Sequence, residues 1–152
     1  MDPAPASSIP SPSTPTFRRT IPVTEADIDE LEHVNNIAYV RWVQEIAVAH
    51  SSALGFDFAG YRAIGGVFVL RRHEIDYLRS LVLGDVVEAT TWIEDVKGVQ
   101  CDRIVEFRAG DVVVARSRTR WVFMSFERQR PVRIPQDIRV AFGHEGAQEP
   151  AQ

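Results

Sequence analysis

The chain has 152 residues, a formal net charge of −4 at neutral pH and a sequence pI near 5.6. This length suits one domain with a core of useful size, and the acidic balance argues against general attraction to nucleic acid or anionic membranes. A single cysteine, Cys101, excludes an internal disulfide and a zinc site built from several thiolates.

The two ends of the chain differ in composition from the rest. Residues 1–16, MDPAPASSIPSPSTPT, are rich in Pro and Ser and lack the basic start and apolar segment of a secretory signal. We predict a disordered tail over residues 1–16, a folded domain over 17–142 and a second disordered tail over 143–152. No stretch reaches the ~20 apolar residues needed to cross a bilayer. We therefore expect a cytoplasmic protein with no membrane partner.

The folded domain is expected to begin with a strand over residues 17–23. Pro22 indicates an edge position or a strand end, because proline cannot donate a hydrogen bond to a neighbouring strand. Thr24 then precedes a short helical turn in which Asp27 would be its capping-box partner. On this interpretation Asp27 has a structural role.

The most informative stretch is residues 27–54, which read DIDELEHVNNIAYVRWVQEIAVAHSSAL. Apolar residues cover most of a helical wheel of its second part, which predicts a long and mostly buried helix. The narrow polar strip of this helix consists of Arg41, Gln44, Glu45 and Ser52. The polar segment before it lies where a helix offers unpaired backbone N–H groups and partial positive charge, an environment suited to an oxyanion.

The second half of the chain is β-rich, with glycine turns at intervals of about a dozen residues. After a loop that ends near Val67, we predict a long bent strand over 67–81, with a bulge between Arg71 and Glu74. Further predicted elements are strands over 86–95, 101–108 and 112–126 in an antiparallel meander, and a closing helix over 136–142. One helix wrapped by a five-stranded antiparallel sheet is an α+β architecture.

Alternation along these strands separates a core face from an outer face. The odd positions Val87, Ala89, Thr91 and Ile93 form one apolar face, and Cys101 shares its parity with Val105 and Phe107. We expect Cys101 to be a small buried residue and not a nucleophile, since no neighbour in sequence would lower its pKa.

Arg116, Arg118 and Arg120 lie at a spacing of two and therefore share one sheet face. One interpretation is a solvated face whose charges are balanced by Glu88 and Glu106. The other is that some of these guanidinium groups bind the phosphates of a nucleotide tail on a ligand.

The segment Asp27-Ile-Asp-Glu-Leu-Glu-His-Val-Asn-Asn-Ile-Ala-Tyr39 resembles the motif D-x-D-x-x-G-H-V-N-N-x-x-Y of the 4-hydroxybenzoyl-CoA thioesterase-like family of hot-dog-fold acyl-CoA thioesterases. The resemblance covers residues 17–142 and implies a hot-dog fold, hydrolysis of an acyl-CoA thioester, no cofactor, and a homodimer or homotetramer. The chain departs from the motif at Glu32, where the family has Gly, a residue that tolerates positive φ and close approach of a ligand.

The resemblance also implies roles for individual residues. Asp29 corresponds to the catalytic carboxylate, which would act as general base or nucleophile. The backbone N–H of Asn36 would stabilise the oxyanion, and His33 would orient water, hold the carbonyl or assist proton transfer. For Asp29 the structural alternative is a turn or N-cap residue, and for His33 it is a hydrogen bond at the helix start.

Further candidates follow from the same alignment and from the helix. Asn35 and Tyr39 would contact substrate, as would Arg118 and Arg120, although Tyr39 also fits a packing role. Glu45 is a reserve catalytic carboxylate whose simpler role is an i,i+4 ion pair with Arg41. Neither His50 nor His73 has metal-ligand spacing with a carboxylate or cysteine, so we predict no metal.

Two other functions remain open. Hot-dog hydratases carry Asp and His in D-x-x-x-x-H, and the spacing from Asp29 to His33 is one residue shorter. A non-catalytic acyl-thioester-binding protein is favoured by Glu32 and by Leu31, which replaces the Asn of plant acyl-carrier-protein thioesterases.

Overall fold

The structure is a computed structural model that describes residues 15–144. Within that range the chain forms five strands and three helices, together with a 3-10 turn at Glu25–Asp27. In chain order these elements are β1 (Phe17–Pro22), α1 (Asn36–Ala53), α2 (Phe58–Ile64), β2 (Gly66–Tyr77), β3 (Val86–Lys97), β4 (Gln100–Ala109), β5 (Val112–Ser125) and α3 (Gln136–Ala141). No helix in this part of the chain is long and apolar enough to span a membrane.

The strands form one antiparallel sheet in the order β1-β3-β4-β5-β2. The predicted meander is therefore wrong for β2, which pairs with β5 at the far edge of the sheet and not with β3. The segment between β2 and β3 runs from one edge of the sheet toward the opposite edge, and its Leu81 is buried in the core. Gly84, one of the glycine turn signals between the predicted strands, belongs to this segment. Pro22 ends the edge strand β1, as its lack of an N–H predicts.

Helix α1 packs against the core face of the sheet through residues at helical spacing, among them Tyr39, Trp42, Val43 and Ile46. The expectation that the helix is buried around most of its circumference is wrong. Ile37, Val40 and Val48 are exposed together with the polar strip. Apolar composition does not distinguish a face covered by its own sheet from a face left open.

The predicted strand faces are confirmed. Val87, Ala89, Thr91 and Ile93 of β3 are buried, and Ala115, Ser117 and Thr119 of β5 are buried on the same side as the helix. The irregularity in β2 falls between Leu70 and Arg72, at the edge of the interval predicted for a bulge.

The loop predicted after α1 contains helix α2, which begins after the N-cap Asp57 and ends at Gly65 with φ +91°. Near the C-terminus, His144 Nε2 lies 2.8 Å from the carbonyl oxygen of Ile93. The domain bounds of 17–142 remain a prediction. Residues 1–14 and 145–152 of the predicted tails lie outside the described part of the chain.

Candidate active site

The polar segment before α1 is a small hairpin. Ile28 and Val34 form an antiparallel bridge, and the N–H of Asn35 donates to the carbonyl of Asp27. Two hydrogen bonds close the turn. The N–H of Glu32 donates to the carbonyl of Asp29 (3.0 Å), and the N–H of Asp29 donates to the carbonyl of His33 (3.0 Å). This is a three-residue hairpin loop, in which a residue in the left-handed region follows a type I turn. The hairpin makes Asp29 and His33 cross-strand neighbours.

Glu32 occupies the left-handed position of that loop, with φ +61°. Glycine is favoured there because it has no Cβ to oppose the conformation, which gives a physical reason for the family Gly. The substitution therefore leaves the hairpin in the conformation that glycine would take, and the side chain of Glu32 points to solvent. Glutamate at this position causes local backbone strain, because its φ is positive.

Glu32→Gly is expected to raise the free energy of unfolding by about 0.5–1 kcal/mol, because relief of left-handed strain exceeds the entropy that glycine adds to the unfolded chain. Thermal unfolding measures this as a rise of ~2 °C in Tm. Glu30→Gly in the same turn is the matched control and is expected to destabilise, since Glu30 does not have positive φ. Equal destabilisation by both changes would contradict the role of φ at Glu32.

Asp29 is half-buried at the start of the turn. Its Oδ1 accepts a hydrogen bond from the N–H of Leu31 (2.9 Å), the Asx-turn geometry that stabilises such loops. The structural role considered for Asp29 is therefore real, but it uses one oxygen. Within residues 15–144 the other oxygen, Oδ2, has no hydrogen-bond donor and is open to a ligand.

The start of α1 follows directly. Asn35 is the N-cap, and its Oδ1 accepts the N–H of Ile37 (2.8 Å). Asn36 is the first helical residue, and among the described residues its N–H has no acceptor. An unpaired first-turn amide is a hydrogen-bond donor for an oxyanion.

His33 and Tyr39 have different environments. The ring of His33 is exposed beside the turn. Tyr39 is buried, with ring contacts to Trp42, Tyr77 and Phe107 at 5.1–5.6 Å between centroids, and burial raises its pKa to about 12. This environment fits the packing role considered for Tyr39, and contact with substrate remains a prediction.

Asp27 is the buried anchor of the hairpin. Its Oδ2 accepts the N–H (2.9 Å) and hydroxyl (3.1 Å) of Thr24, and its Oδ1 forms an ion pair with Arg41. Burial alone would raise the pKa of this carboxyl, but the hydrogen bonds from Thr24 and Arg41 outweigh burial and lower it. Asp27 therefore has the structural role that the capping pattern predicted.

Arg118 and Arg120 lie on the outer face of the sheet and are engaged by carboxylates. Asp102 binds both guanidinium groups, at 2.8 Å to Arg118 and 3.1 Å to Arg120, and Glu94 and Asp95 add contacts to Arg118. For Arg118 and Arg120 the expected balance by Glu88 and Glu106 is wrong, because the partners of these two arginines are Asp102, Glu94 and Asp95. Phosphate binding by Arg118 or Arg120 would require a ligand to compete with these carboxylates.

The reserve carboxylate Glu45 lies 3.6 Å from Nε of Arg41, in the i,i+4 pair predicted for it. No group of three or more His, Cys, Asp or Glu side chains within residues 15–144 is arranged to hold a metal ion.

A cavity of about 260 Å³ lies elsewhere, between the C-terminal half of α1, helix α2 and the core face of the sheet. None of Asp29, His33, Asn35 and Asn36 lines it. Its lining includes Arg103, which we did not single out from the sequence. The signal was present, because Arg103 shares the parity of Cys101, Val105 and Phe107 and is therefore a cation on a core face.

A family model described as the thioesterase-like superfamily matches residues 23–142. The chain belongs to this superfamily. A curated thioesterase-like relative is the chloroplastic oleoyl-acyl carrier protein thioesterase of Coriandrum sativum, 28% identical over 123 residues. That match covers 76% of this chain and 33% of the relative, so the chain spans about a third of the length of that protein.

Solved structures share the fold. A 1,4-dihydroxy-2-naphthoyl-CoA thioesterase from Synechocystis superposes with a TM-score of 0.76 at 18% identity, covering 90% of this chain and 100% of that one. A Staphylococcus aureus protein determined in complex with CoA gives a TM-score of 0.80 at 17% identity, covering 91% and 89%. The hot-dog fold implied by the sequence resemblance is confirmed.

Proposed function

We propose that this thioesterase-like chain hydrolyses an acyl-CoA thioester to a carboxylic acid and coenzyme A. The observation that carries the proposal is the hairpin before α1. It leaves one oxygen of Asp29 and the N–H of Asn36 without partners among residues 15–144, in a chain that belongs to the thioesterase-like superfamily.

In the proposed reaction the Asp29 carboxylate removes a proton from water as the water attacks the thioester carbonyl, or attacks that carbon itself to form an anhydride that water then cleaves. The oxyanion that develops accepts a hydrogen bond from the N–H of Asn36, reinforced by the positive end of the helix dipole. Collapse of the intermediate expels the thiolate of coenzyme A. His33 and Asn35 contact the substrate in this proposal, which requires no metal or cofactor.

The proposed enzyme acts as a homodimer or homotetramer with the site completed by a second subunit. Support comes from apolar side chains exposed around the hairpin and helix start, where Leu31 is 76% and Ile37 72% exposed. Val40, Tyr77, Leu78 and Val82 are also exposed. Exposed apolar patches of this kind mark contact surfaces. The mass in solution, measured by light scattering, tests the proposed oligomer.

Thiol release from a panel of acyl-CoA and acyl-carrier-protein thioesters tests the activity and separates the two carriers. The protein's own thiol is not expected to interfere, because Cys101 is 2% exposed and burial raises its pKa to about 12. Native protein alone should give no Ellman reaction, and one equivalent should appear on unfolding. Rapid reaction of the native protein would contradict the buried state of Cys101.

The same panel separates the two alternatives. Hydration of an enoyl-CoA without thiol release would favour a hydratase that uses Asp29 and His33. Ligand-dependent thermal stabilisation with no turnover of any thioester would favour a binding protein. The conformation of Glu32 counts against a site blocked by its backbone, since φ at this residue is that of the family glycine.

A further inference from the structure

The cavity beside α2 is separate from the candidate active site. The residue of helix α1 that lines the cavity and lies nearest to Asn36 in sequence is Gln44, eight residues further on and about 12 Å along the helix axis. The walls are mainly apolar and aromatic, with Phe56, Phe68, Trp121 and Phe142 among the lining residues. At its mouth are the exposed side chains of Val48, Ser52 and Phe58.

A buried guanidinium lines this cavity. Arg103 is 4% exposed, and no carboxylate of residues 15–144 lies within ion-pair distance of it. Its Nη1 donates to His50 Nδ1 (3.0 Å) and Thr91 Oγ1 (2.9 Å), and its cation lies 5.9 Å from the centre of the Phe142 ring. These neighbours are neutral, so they do not balance the charge.

The rest of the guanidinium is available to a ligand. Nε and Nη2 carry three N–H groups that have no acceptor in the described part of the chain. Neither Nε nor Nη2 is a fully buried atom that lacks a hydrogen-bond partner. Because Arg103 lines the cavity, we infer that both nitrogens are accessible from it. Together these two nitrogens present the fork that binds the two oxygens of a carboxylate.

The charge cannot be removed by deprotonation. Burial lowers the pKa of Arg103 to about 10, which leaves it protonated at neutral pH. The neighbouring His50 is neutral, because burial and the adjacent Arg103 lower its pKa to about 4. A buried cation with no counter-ion is costly, and an anion that enters the cavity would offset that cost.

We propose that this cavity is a second ligand site, which binds a small apolar monocarboxylic acid through an ion pair between its carboxylate and Nε and Nη2 of Arg103. The hydrocarbon part of the acid packs against the aromatic walls. The volume of about 260 Å³ exceeds the ~150 Å³ that suffices for benzene, which suits a single aromatic ring or a medium-length chain. Asp57 at the mouth disfavours ligands with several negative charges.

Calorimetric titration of the full chain with octanoate, benzoate and octan-1-ol tests this site without requiring catalysis. Octanoate or benzoate is expected to bind, and octanoate is expected to bind about 10- to 100-fold more tightly than octan-1-ol, as charged hydrogen bonds would give. Equal affinity for octanoate and octan-1-ol, or no binding of either acid, would overturn the proposal.

Arg103→Met is expected to lose that preference while keeping weak binding of octan-1-ol. Its Tm without ligand should equal or exceed that of wild type, since an unpaired buried charge is removed. Undiminished octanoate binding by this variant would overturn the proposal. Should Arg103→Met fail to fold, Ser52→Trp at the exposed mouth keeps Arg103 and is expected to weaken binding of both ligands at least tenfold. Unchanged binding by Ser52→Trp would place the ligand elsewhere.

The full-length double variant Glu145→Gln, Glu149→Gln removes two C-terminal carboxylates and is expected to bind octanoate as wild type does. A gain of tenfold or more would make these carboxylates the partners of Arg103 and overturn the proposal.

Discussion

Asp29→Asn is expected to lower kcat for acyl-CoA hydrolysis about a thousandfold, within the range of 10²–10⁴ typical of a catalytic acid or base. An amide neither accepts a proton from water at neutral pH nor attacks a thioester. KM should change little, because the hairpin and helix start remain in place. The measurement is steady-state thiol release with the best substrate of the panel.

Two comparisons separate catalysis from folding in that experiment. The Asn side chain can still accept the N–H of Leu31 in an Asx turn, so Asp29→Asn should unfold within ~1 kcal/mol of wild type. Glu30→Gln removes the adjacent exposed carboxylate and is expected to retain full activity. A fully active Asp29→Asn enzyme would remove Asp29 from the mechanism, and Glu45→Gln would then be the next variant to measure.

Asp27→Asn, two residues from Asp29, is expected to lower the stability of the fold and to leave kcat largely unchanged. The amide keeps one acceptor for Thr24 but turns its N–H₂ toward Arg41, so the variant loses a charged hydrogen bond at a buried position. The expected loss is about 2 kcal/mol of unfolding free energy, or a fall of ~6 °C in Tm. Arg41→Gln should cost less than ~1 kcal/mol, because Arg41 is 47% exposed and its charge is screened. Equal stability of Asp27→Asn and wild type would contradict the anchoring role.

The stability difference between wild type and Asp27→Asn should depend on pH. The pKa of Asp27 is lower in the folded state than the unfolded value of about 3.9. Its contribution is therefore complete above that value and is lost as the pH falls through the folded pKa. The pKa of Asp102 is also lowered, but this group is present in both proteins and its effect cancels in the difference. Chemical denaturation of both proteins from pH 7 to 2 measures the difference in unfolding free energy, which should shrink as the pH falls. A difference that does not depend on pH would contradict the ion pair between Asp27 and Arg41.

Most of the sheet could be predicted because alternation and glycine turns are local signals. The boundaries of β3, β4 and β5 fall within about two residues of the predictions. The pairing of β2 could not be predicted in this way, because a turn signal at Gly84 does not show which edge of the sheet the chain reaches next. Helix α2 did have capping signals, Asp57 and Gly65, but its aromatic and glycine-rich composition resembled a loop.

The grouping of the candidate site residues was predictable to the extent that they are close in sequence. Asp29, His33, Asn35 and Asn36 lie on one hairpin and helix start, so a motif was sufficient to group them. Long-range contacts required the register of the sheet. Strand pairing brings Arg118 next to Asp102 and Glu94, whereas the sequence had suggested Glu88 and Glu106 as its ion-pair partners. The burial of Arg103 follows from its parity with Cys101 and Val105, but only the structure shows that it has no ion-pair partner among the described residues.

The most direct test of the account is a crystal structure of the Asp29→Asn enzyme with an acyl-CoA bound. We expect the thioester oxygen about 2.7–3.1 Å from the N–H nitrogen of Asn36, with the side chain at position 29 close enough to contact the carbonyl carbon or a water beside it. A thioester bound away from the start of α1, for example with its carbonyl in the cavity at Arg103, would contradict the assignment.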